Sequence, residues 1–294
     1  MSITYNQTAK TFFLKTKNSS YVMKISDFDN LLHLYYGAPI PDENLDYLIQ
    51  LQDRGFSPNP FEAGNNRSFS LDFLPQEFST NENGDYRSSS IEVQNPDGSR
   101  TFSGKVTEYH IEEGKHLLET MPSLRAGSED TVHTLTIRLT DEAAGLCADL
   151  IYSVFEEKDV ITRSVLLTNS GSAPVKVGRL MSVTLDFMDS DYDLIYFAGR
   201  HTMEREEIRI PVERGIHSIG STRGTSSHQY NPSAILCTKG ADEDQGKCYG
   251  FSLIYSGNFL IEAEKDQYSQ LRLNAGINPK GFSYALAPGE SLEA

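Results

Sequence analysis

The 294-residue sequence has no tryptophan, only three cysteines and no long apolar run. Because a membrane-spanning helix needs roughly 18 or more consecutive apolar residues, we expect no membrane partner. Residues 1–10 are polar and lack the basic and apolar regions of a secretory signal. These absences predict a soluble protein of the cytoplasm.

The three cysteines, Cys147, Cys237 and Cys248, lie far apart in the chain and form no Cys-x-x-Cys pair. This spacing favours neither a zinc site nor a redox motif. We therefore expect buried free thiols in a reducing compartment.

Acidic residues outnumber basic residues. The sequence has 26 Lys and Arg against 41 Asp and Glu, which gives a net charge of −15. Such a surface repels nucleic acid and anionic membranes, so neither is an expected partner. The acidity is explained by solubility alone.

Hydrophobic residues recur mainly with a period of two. Residues 175–187 alternate in this way, interrupted only by Arg179, and residues 134–139 alternate apolar with polar. Residues 160–167 are apolar on both faces, which predicts a strand covered on both sides. Turn residues at 95–98 and 169–171 separate these runs. The pattern indicates antiparallel strands.

The period-two pattern extends along the whole chain without a βαβ alternation or a Pro- or Ser-rich linker. We therefore predict an all-β fold, mainly antiparallel, in which residues 1–294 form one large two-sheet sandwich. One short helix is predicted near 42–53, because Pro41-Asp42 can start it, Leu45, Leu48 and Ile49 form a stripe, and Gly55 can stop it.

Most residue patterns that could indicate a metal or catalytic site lack a residue or a geometry that such a site requires. The spacing Asp189-x-Asp191-x-Asp193 suggests a calcium loop, but Leu194 and Arg200 stand where that loop needs Gly and Glu. Ser227 and His228 are neighbours and point apart in an extended chain, so they do not suit a nucleophile and its base. We expect no metal and no cofactor.

Two polar segments remain as candidate sites. Residues 221–232 read as a loop whose hydroxyl and amide groups could bond the backbone or a sugar. Residues 53–67 place Asp53 and Arg67 on a Pro- and Gly-containing loop, where they could bind sugar hydroxyls or form a plain surface salt bridge. Without Trp, only Tyr and Phe could stack on a sugar ring.

Six blocks of the sequence, in register, resemble the amino-terminal domain of the bacterial family 36 glycoside hydrolases, the α-galactosidases. The blocks are residues 53–60 (DRGFSPNP), 83–87 (NGDYR), 163–169 (RSVLLTN), 215–232 (GIHSI with the following loop), 255–259 (YSGNF) and 276–279 (GINP). The blocks lie between residues 53 and 279, and the resemblance covers about residues 20 to 290. The resemblance implies a β-supersandwich similar to the galactose-mutarotase fold.

In that family the catalytic aspartates lie in a (β/α)₈ barrel, which needs about 250 residues of alternating strands and helices. No such pattern occurs here, so the resemblance implies no catalytic residue in this chain. It implies instead the front part of a larger enzyme that cleaves melibiose- and raffinose-type α-galactosides with retention.

The resemblance also implies a supporting role for loops that reach a neighbouring active site in a homotetramer. By position, Asp53 and Arg67 would line that substrate entrance. His201 stands where the family often has Trp, which is expected to change the stacking surface there. The alternatives are a stand-alone carbohydrate-binding module and a mutarotase-like epimerase, whose two histidines and glutamate have no evident match here.

Overall fold

A computed structural model describes residues 2–53, 59–80, 83–189 and 191–294. Within this part of the chain the regular structure is nineteen β-strands with three short 3₁₀ turns. The strands are β1 (Ile3–Asn6), β2 (Thr11–Lys15), β3 (Ser20–Ile25), β4 (Leu31–Gly37), β5 (Ile91–Gln94), β6 (Lys105–Glu113), β7 (Val132–Asp141), β8 (Leu146–Phe155), β9 (Val160–Asn169), β10 (Val175–Phe187), β11 (Tyr192–Arg200), β12 (Met203–Pro211), β13 (Gly215–Gly220), β14 (Tyr230–Thr238), β15 (Cys248–Ser252), β16 (Phe259–Lys265), β17 (Leu271–Ile277), β18 (Tyr284–Leu286) and β19 (Ser291–Glu293). The all-β prediction is confirmed.

Backbone pairing divides the described strands among four sheets rather than two. Their orders are β1-β2-β3-β4, then β13-β16-β17-β10-β18 with β5 also on β10, then β12-β11-β14-β15, and β19-β9-β8-β7-β6. Neighbouring strands pair antiparallel, as the turn chemistry predicts. One large apolar core draws residues from all four sheets.

The predicted helix over 42–53 is wrong. In its place the chain has a single 3₁₀ turn, Asp46–Leu48. Leu45 packs with Phe13 and Val22 of the first sheet, while Tyr47 is exposed. Leu48 packs beside Leu45, but Ile49 packs against a different cluster. The three residues therefore form no continuous face, which most helical stability requires. Gly55, the proposed stop, lies outside the described residues.

Strand β10 is the longest strand and is buried over most of its length. Its register shifts twice, between Val177 and Arg179 and between Met181 and Val183. These β-bulges let one end pair with β5 and β18 and the other end pair with β17. The buried residues include polar ones, namely Arg179, Ser182, Thr184 and Asp186.

A buried ion network joins β10 to β17. Arg272, which has no exposed surface, donates to both carboxylate oxygens of Asp186 at 2.7 Å and lies 2.8 Å from Asp85. Arg87 binds Asp85 through Nε at 2.9 Å. Two guanidinium groups thus face two carboxylates, and burial of the four charges is compensated inside the network.

Strand β9 departs from the prediction that it is covered on both sides. Val160 is 37% exposed, and Ile161 to Arg163 are only partly covered, whereas Val165 and Leu167 are buried. The turn at 169–171 lies between β9 and β10 as predicted. The turn at 95–98 is also present, with Gly98 N donating to Asn95 O at 2.9 Å, although an irregular segment rather than a strand follows it.

The cysteines form no disulfide, but only Cys237 is buried. Cys147 is partly covered at the start of the otherwise buried β8, and Cys248 is exposed because it lies on the solvent-facing side of β15. Among the described residues no helix has the length and apolar character that crossing a membrane requires.

Candidate functional site

The loop over residues 221–232 is tied to its own backbone and to a neighbouring loop. Ser221 Oγ donates to Thr225 O at 2.5 Å, and Gly224 N donates to Asn258 Oδ1 at 2.6 Å. Ser226 N donates to Ser256 O at 2.8 Å. These bonds favour the backbone-bonding alternative for this loop over the sugar-binding one.

Asp53 and Arg67 are brought together. Arg67 Nη2 lies 3.2 Å from Asp53 Oδ1, and the two side chains are 54% and 62% exposed. Nearby, Asn59 Nδ2 donates to Asn66 O at 2.8 Å, which holds the segment that leads to Arg67. The intervening residues 54–58 of the first resemblance block lie outside the described residues. An exposed pair of this kind adds little stability and leaves both groups within reach of a ligand.

His201 lies at the tip of the β11–β12 hairpin. Arg200 pairs with Met203, so His201 and Thr202 form the two-residue turn, and Thr202 has a φ of 66°. Gly199 is required here, since a Cβ would lie 2.2 Å from the carbonyl oxygen of Met203. Residues 203–207 of β12 are exposed on both faces. The hairpin therefore carries His201 in an exposed turn, next to the exposed first half of the edge strand β12.

Two of the aspartates at 189–193 form separate ion pairs with basic residues. Asp191 Oδ1 lies 2.7 Å from Lys239 Nζ, and Asp193 Oδ2 lies 2.8 Å from Arg209 Nε. Across the residues that the structure describes, no group of three or more His, Cys, Asp or Glu residues could hold a metal ion.

A buried cluster centred on Glu77 was not predicted. Glu77 accepts hydrogen bonds from Tyr21 Oη at 2.7 Å, Tyr152 Oη at 2.8 Å and Arg163 Nη1 at 3.0 Å, and His33 Nδ1 lies 2.8 Å away. Glu77 has no exposed surface. Its two oxygens are thus satisfied by four side chains, one from each of the strands β3, β4, β8 and β9.

Burial alone would raise the pKa of Glu77. The Arg163 guanidinium and the hydrogen bonds from His33 and Tyr21 outweigh that effect, so the pKa lies below its usual value. Burial, with Glu77 close by, raises the pKa of Tyr21 well above its usual value. Glu77 is therefore a charged, structural carboxylate with no open side for a substrate.

An open groove of about 400 Å³ runs beside this cluster. Its walls are mainly apolar and come from β9, β15, the loop over 115–124 and the segment 253–255. Ile254 is 47% exposed, and Arg163 and Ala294 also line the groove. Burial lowers the pKa of Lys115 at its rim.

Sequence reasoning missed both features for physical reasons. Tyr21, His33, Glu77 and Arg163 lie far apart in the chain, so no local motif brings them together. The groove did leave a signal, because the sequence predicts that residues 160–167 are covered on both faces, whereas residues 160–163 are exposed or only partly covered.

Comparison with known proteins identifies the family. Residues 29–287 match the glycosyl hydrolase family 36 N-terminal domain. The bifunctional α-galactosidase/sucrose kinase AgaSK of Mediterraneibacter gnavus is 44% identical over 292 residues, which are 99% of this chain and 31% of AgaSK. The α-galactosidase AgaA of Geobacillus stearothermophilus is 40% identical over 293 residues, which are 100% of this chain and 40% of AgaA.

Solved structures agree with this result. The galactosidase domain of AgaSK superposes with a TM-score of 0.96 at 43% identity, covering 99% of this chain and 40% of that one. A variant of AgaA in complex with raffinose has a TM-score of 0.93 at 39% identity, covering 97% of this chain and 39% of that one. The fold is thus that of the amino-terminal domain of a glycoside hydrolase. The chain belongs to glycosyl hydrolase family 36, and it spans less than half the length of these relatives.

We predict that Glu77→Gln destabilises the chain by about 3–5 kcal/mol at pH 7, because it leaves Arg163 buried without a counter-charge. The folded-state pKa of Glu77 is lowered, so its contribution is present above the unfolded pKa and is lost as pH falls through the folded pKa. The difference from wild type should therefore shrink at about pH 3. Urea unfolding followed by circular dichroism at both pH values measures this.

The matched control is Glu157→Gln, which removes an exposed carboxylate paired with Lys17. It should leave the urea midpoint unchanged at pH 7. A Glu77→Gln deficit that is equally large at both pH values would show that lost packing, rather than lost charge, causes the destabilisation.

Proposed function

We propose that this chain is the amino-terminal domain of an α-galactosidase that hydrolyses terminal α-galactosides of the melibiose and raffinose type with retention. The observation that carries the proposal is that the whole chain matches enzymes named as α-galactosidases and covers less than half of their length. In the proposed enzyme a (β/α)₈ barrel outside these 294 residues supplies both catalytic carboxylates. Residues 1–294 form one β-supersandwich domain without a catalytic residue.

The proposed supersandwich is built from the four sheets that backbone pairing defines. Strand β10 pairs with β5 and β18 at one end and β17 at the other, so it connects regions that would otherwise be separate layers. Galactose-mutarotase-like architecture is the finer fold proposal.

The apolar groove supports the presence of a further domain. Exposed apolar side chains cost free energy in water, and soluble domains rarely leave large contiguous patches of them uncovered. In this groove Val160, Leu124 and Ile254 are each more than one-third exposed. We take the groove as the face on which the barrel domain of the longer enzyme packs.

Asp53, Arg67 and His201 are proposed to line the substrate entrance of a neighbouring subunit in a homotetramer. The exposed pair of Asp53 and Arg67 offers an acceptor and a planar donor for sugar hydroxyls. The His201 hairpin carries an edge strand whose first half is exposed. Three cysteines without a disulfide are consistent with a cytoplasmic location.

The two alternatives are weaker. A mutarotase-like epimerase needs an accessible acid and base, whereas Glu77 and His33, a buried glutamate and histidine in contact, have at most 4% exposed surface. A stand-alone carbohydrate-binding module would leave the apolar groove without an occupant.

The mass of the native protein tests the proposal. An antibody raised against this chain should detect, in lysate of its source, a protein well above 32.8 kDa that co-elutes with hydrolysis of 4-nitrophenyl α-galactoside. A detected mass of 32.8 kDa, or separate elution of the activity, would reject the proposal and favour the stand-alone alternatives.

The entrance residues are tested in the full-length enzyme. Arg67→Ala should raise KM for raffinose about threefold to tenfold and leave kcat nearly unchanged, because it removes binding that is equal in ground and transition states. His201→Trp should change raffinose and melibiose kinetics by adding a stacking surface. The control is Lys17→Ala, which breaks an equally exposed pair with Glu157. Unchanged kinetics in either test variant would remove that residue from the entrance.

A further inference from the structure

A second cavity, with a volume of about 450 Å³, lies on the face formed by the β16–β17 turn and the segment around Tyr86. Its charged lining contains three carboxylates, Asp72, Glu264 and Asp266, and three cations, Arg87, Arg214 and Lys265. These formal charges cancel. Arg87 is already paired with Asp85 and Asp186, and the lining as a whole offers both donors and acceptors, which suits a ligand rich in hydroxyl groups.

Asp266 supplies a buried acceptor that has no partner. Its Oδ1 accepts hydrogen bonds from the backbone N–H groups of Tyr268 and Gln270, both at 2.8 Å, which fixes the carboxylate. Its Oδ2 is buried and accepts no hydrogen bond from the described part of the chain, although the residue is only 9% exposed. A buried carboxylate oxygen without a donor is costly. Oδ2 itself has almost no exposed surface, so a ligand hydroxyl would reach it only if the Asp266 side chain turned toward the cavity.

Arg214 also lines the cavity and supplies donors. Its backbone bridges to Lys265, the residue before Asp266. Its side chain is exposed and makes no hydrogen bond or ion pair with any residue that the structure describes. The planar guanidinium group therefore has donors available for vicinal hydroxyl groups.

An aromatic ring completes the cavity. Tyr86 is 73% exposed, yet its backbone is held because its N–H donates to Asp72 Oδ1 at 3.2 Å. Its neighbours in sequence, Asp85 and Arg87, belong to the buried ion network. A large aromatic side chain on a rigid segment offers an apolar face at low entropic cost, and Tyr is the kind of residue that combines such a face with a polar tip.

We propose that this cavity binds a neutral saccharide, with the sugar ring on Tyr86 and with hydroxyl groups that accept from Arg214 and donate to the carboxylates of the lining. Only the choice of an α-galactoside as the probe rests on the proposed function. The cavity is formed entirely by this chain and needs neither a second domain nor a second subunit.

Raffinose binding to the 294-residue chain tests the proposal. Binding is measured by saturation-transfer NMR and by titration of chemical shifts. Wild type should bind saturably, and Tyr86→Ala should weaken binding about fivefold to tenfold or more because it removes the aromatic contact. Tyr86→Phe should bind within about twofold of wild type, since it keeps the ring. Arg214→Ala should also weaken binding.

The matched control is Tyr47→Ala, which removes a tyrosine that is 76% exposed in the 3₁₀ turn far along the chain from this cavity. It should leave raffinose binding unchanged. No saturable binding by wild type, or equal binding by wild type and Tyr86→Ala, would overturn the saccharide site. Neither result bears on the mass of the native protein or on its α-galactosidase activity.

A different observation concerns the cysteines. Cys237 of β14 lies directly opposite Cys248 of β15, and Cys237 is buried whereas Cys248 is exposed. Thr238 N donates to Lys247 O at 2.9 Å, so the next pair along the ladder, Cys237 with Cys248, is a non-hydrogen-bonded pair. Cα atoms in such pairs are about 4.5 Å apart, within the range of roughly 4.4–6.8 Å found for disulfides.

We infer that these two thiols form a reversible cross-strand disulfide under peroxide. The exposed Cys248 thiolate attacks hydrogen peroxide, giving a sulfenic acid and hydroxide. Cys237 then attacks the sulfenic sulfur, which forms the S–S bond and releases water. Two thiols and one peroxide thus give one disulfide and two waters. The disulfide protects Cys248 from irreversible oxidation to sulfinic and sulfonic acids.

Peptide mapping after brief peroxide treatment tests this inference. Trypsin cleaves at Lys239 and Lys247 and separates the two cysteines, so a disulfide appears as one cross-linked peptide that reductant splits. Cys147→Ser should still give the cross-link, and Cys248→Ser should not. Recovery of Cys248 as sulfinic or sulfonic acid, with Cys237 unmodified, would overturn the inference.

Discussion

The pairing of Arg272 with Asp186 and Asp85 is the interaction on which the rest of the structure depends. Arg272 is fully buried, and an unpaired guanidinium at such a position would cost several kcal/mol. The cost is offset only where both carboxylates stay within hydrogen-bonding distance. This requirement holds β10, β17 and the segment before β5 in one arrangement. The positions of Tyr86 and of the second cavity depend on this arrangement.

Much of the fold could be predicted because strands leave a local signal. The alternation over 175–187 and over 134–139 appears as β10 and β7. The helix over 42–53 was wrong, because three apolar residues at helical spacing also fit a single turn that anchors Leu45. A stripe of that length does not distinguish the two structures.

The buried polar residues could not be predicted in the same way. Arg179 interrupts an apolar run and reads as a solvent-facing residue, yet it is buried and donates to Glu262. Asp85 and Arg87 stand in a recognised block, but nothing local shows that their partners are Asp186 and Arg272. Contacts between residues so far apart in sequence depend on the tertiary arrangement, which periodicity does not encode. The proposed substrate entrance could not be predicted in full from this sequence, because its other half would belong to another subunit.

Arg163 belongs to two environments at once. Its guanidinium binds Glu77 in the core, and the same side chain lines the apolar groove. The Arg163 side chain is 6% exposed, so an occupant of the groove removes its remaining contact with water and strengthens its attraction to the Glu77 carboxylate. Groove occupancy and proton release from Glu77 are therefore thermodynamically linked, and linkage is reciprocal. Protonation of Glu77 must weaken binding in the groove by the same factor by which that binding lowers proton affinity, so binding in the groove is sensitive to acid.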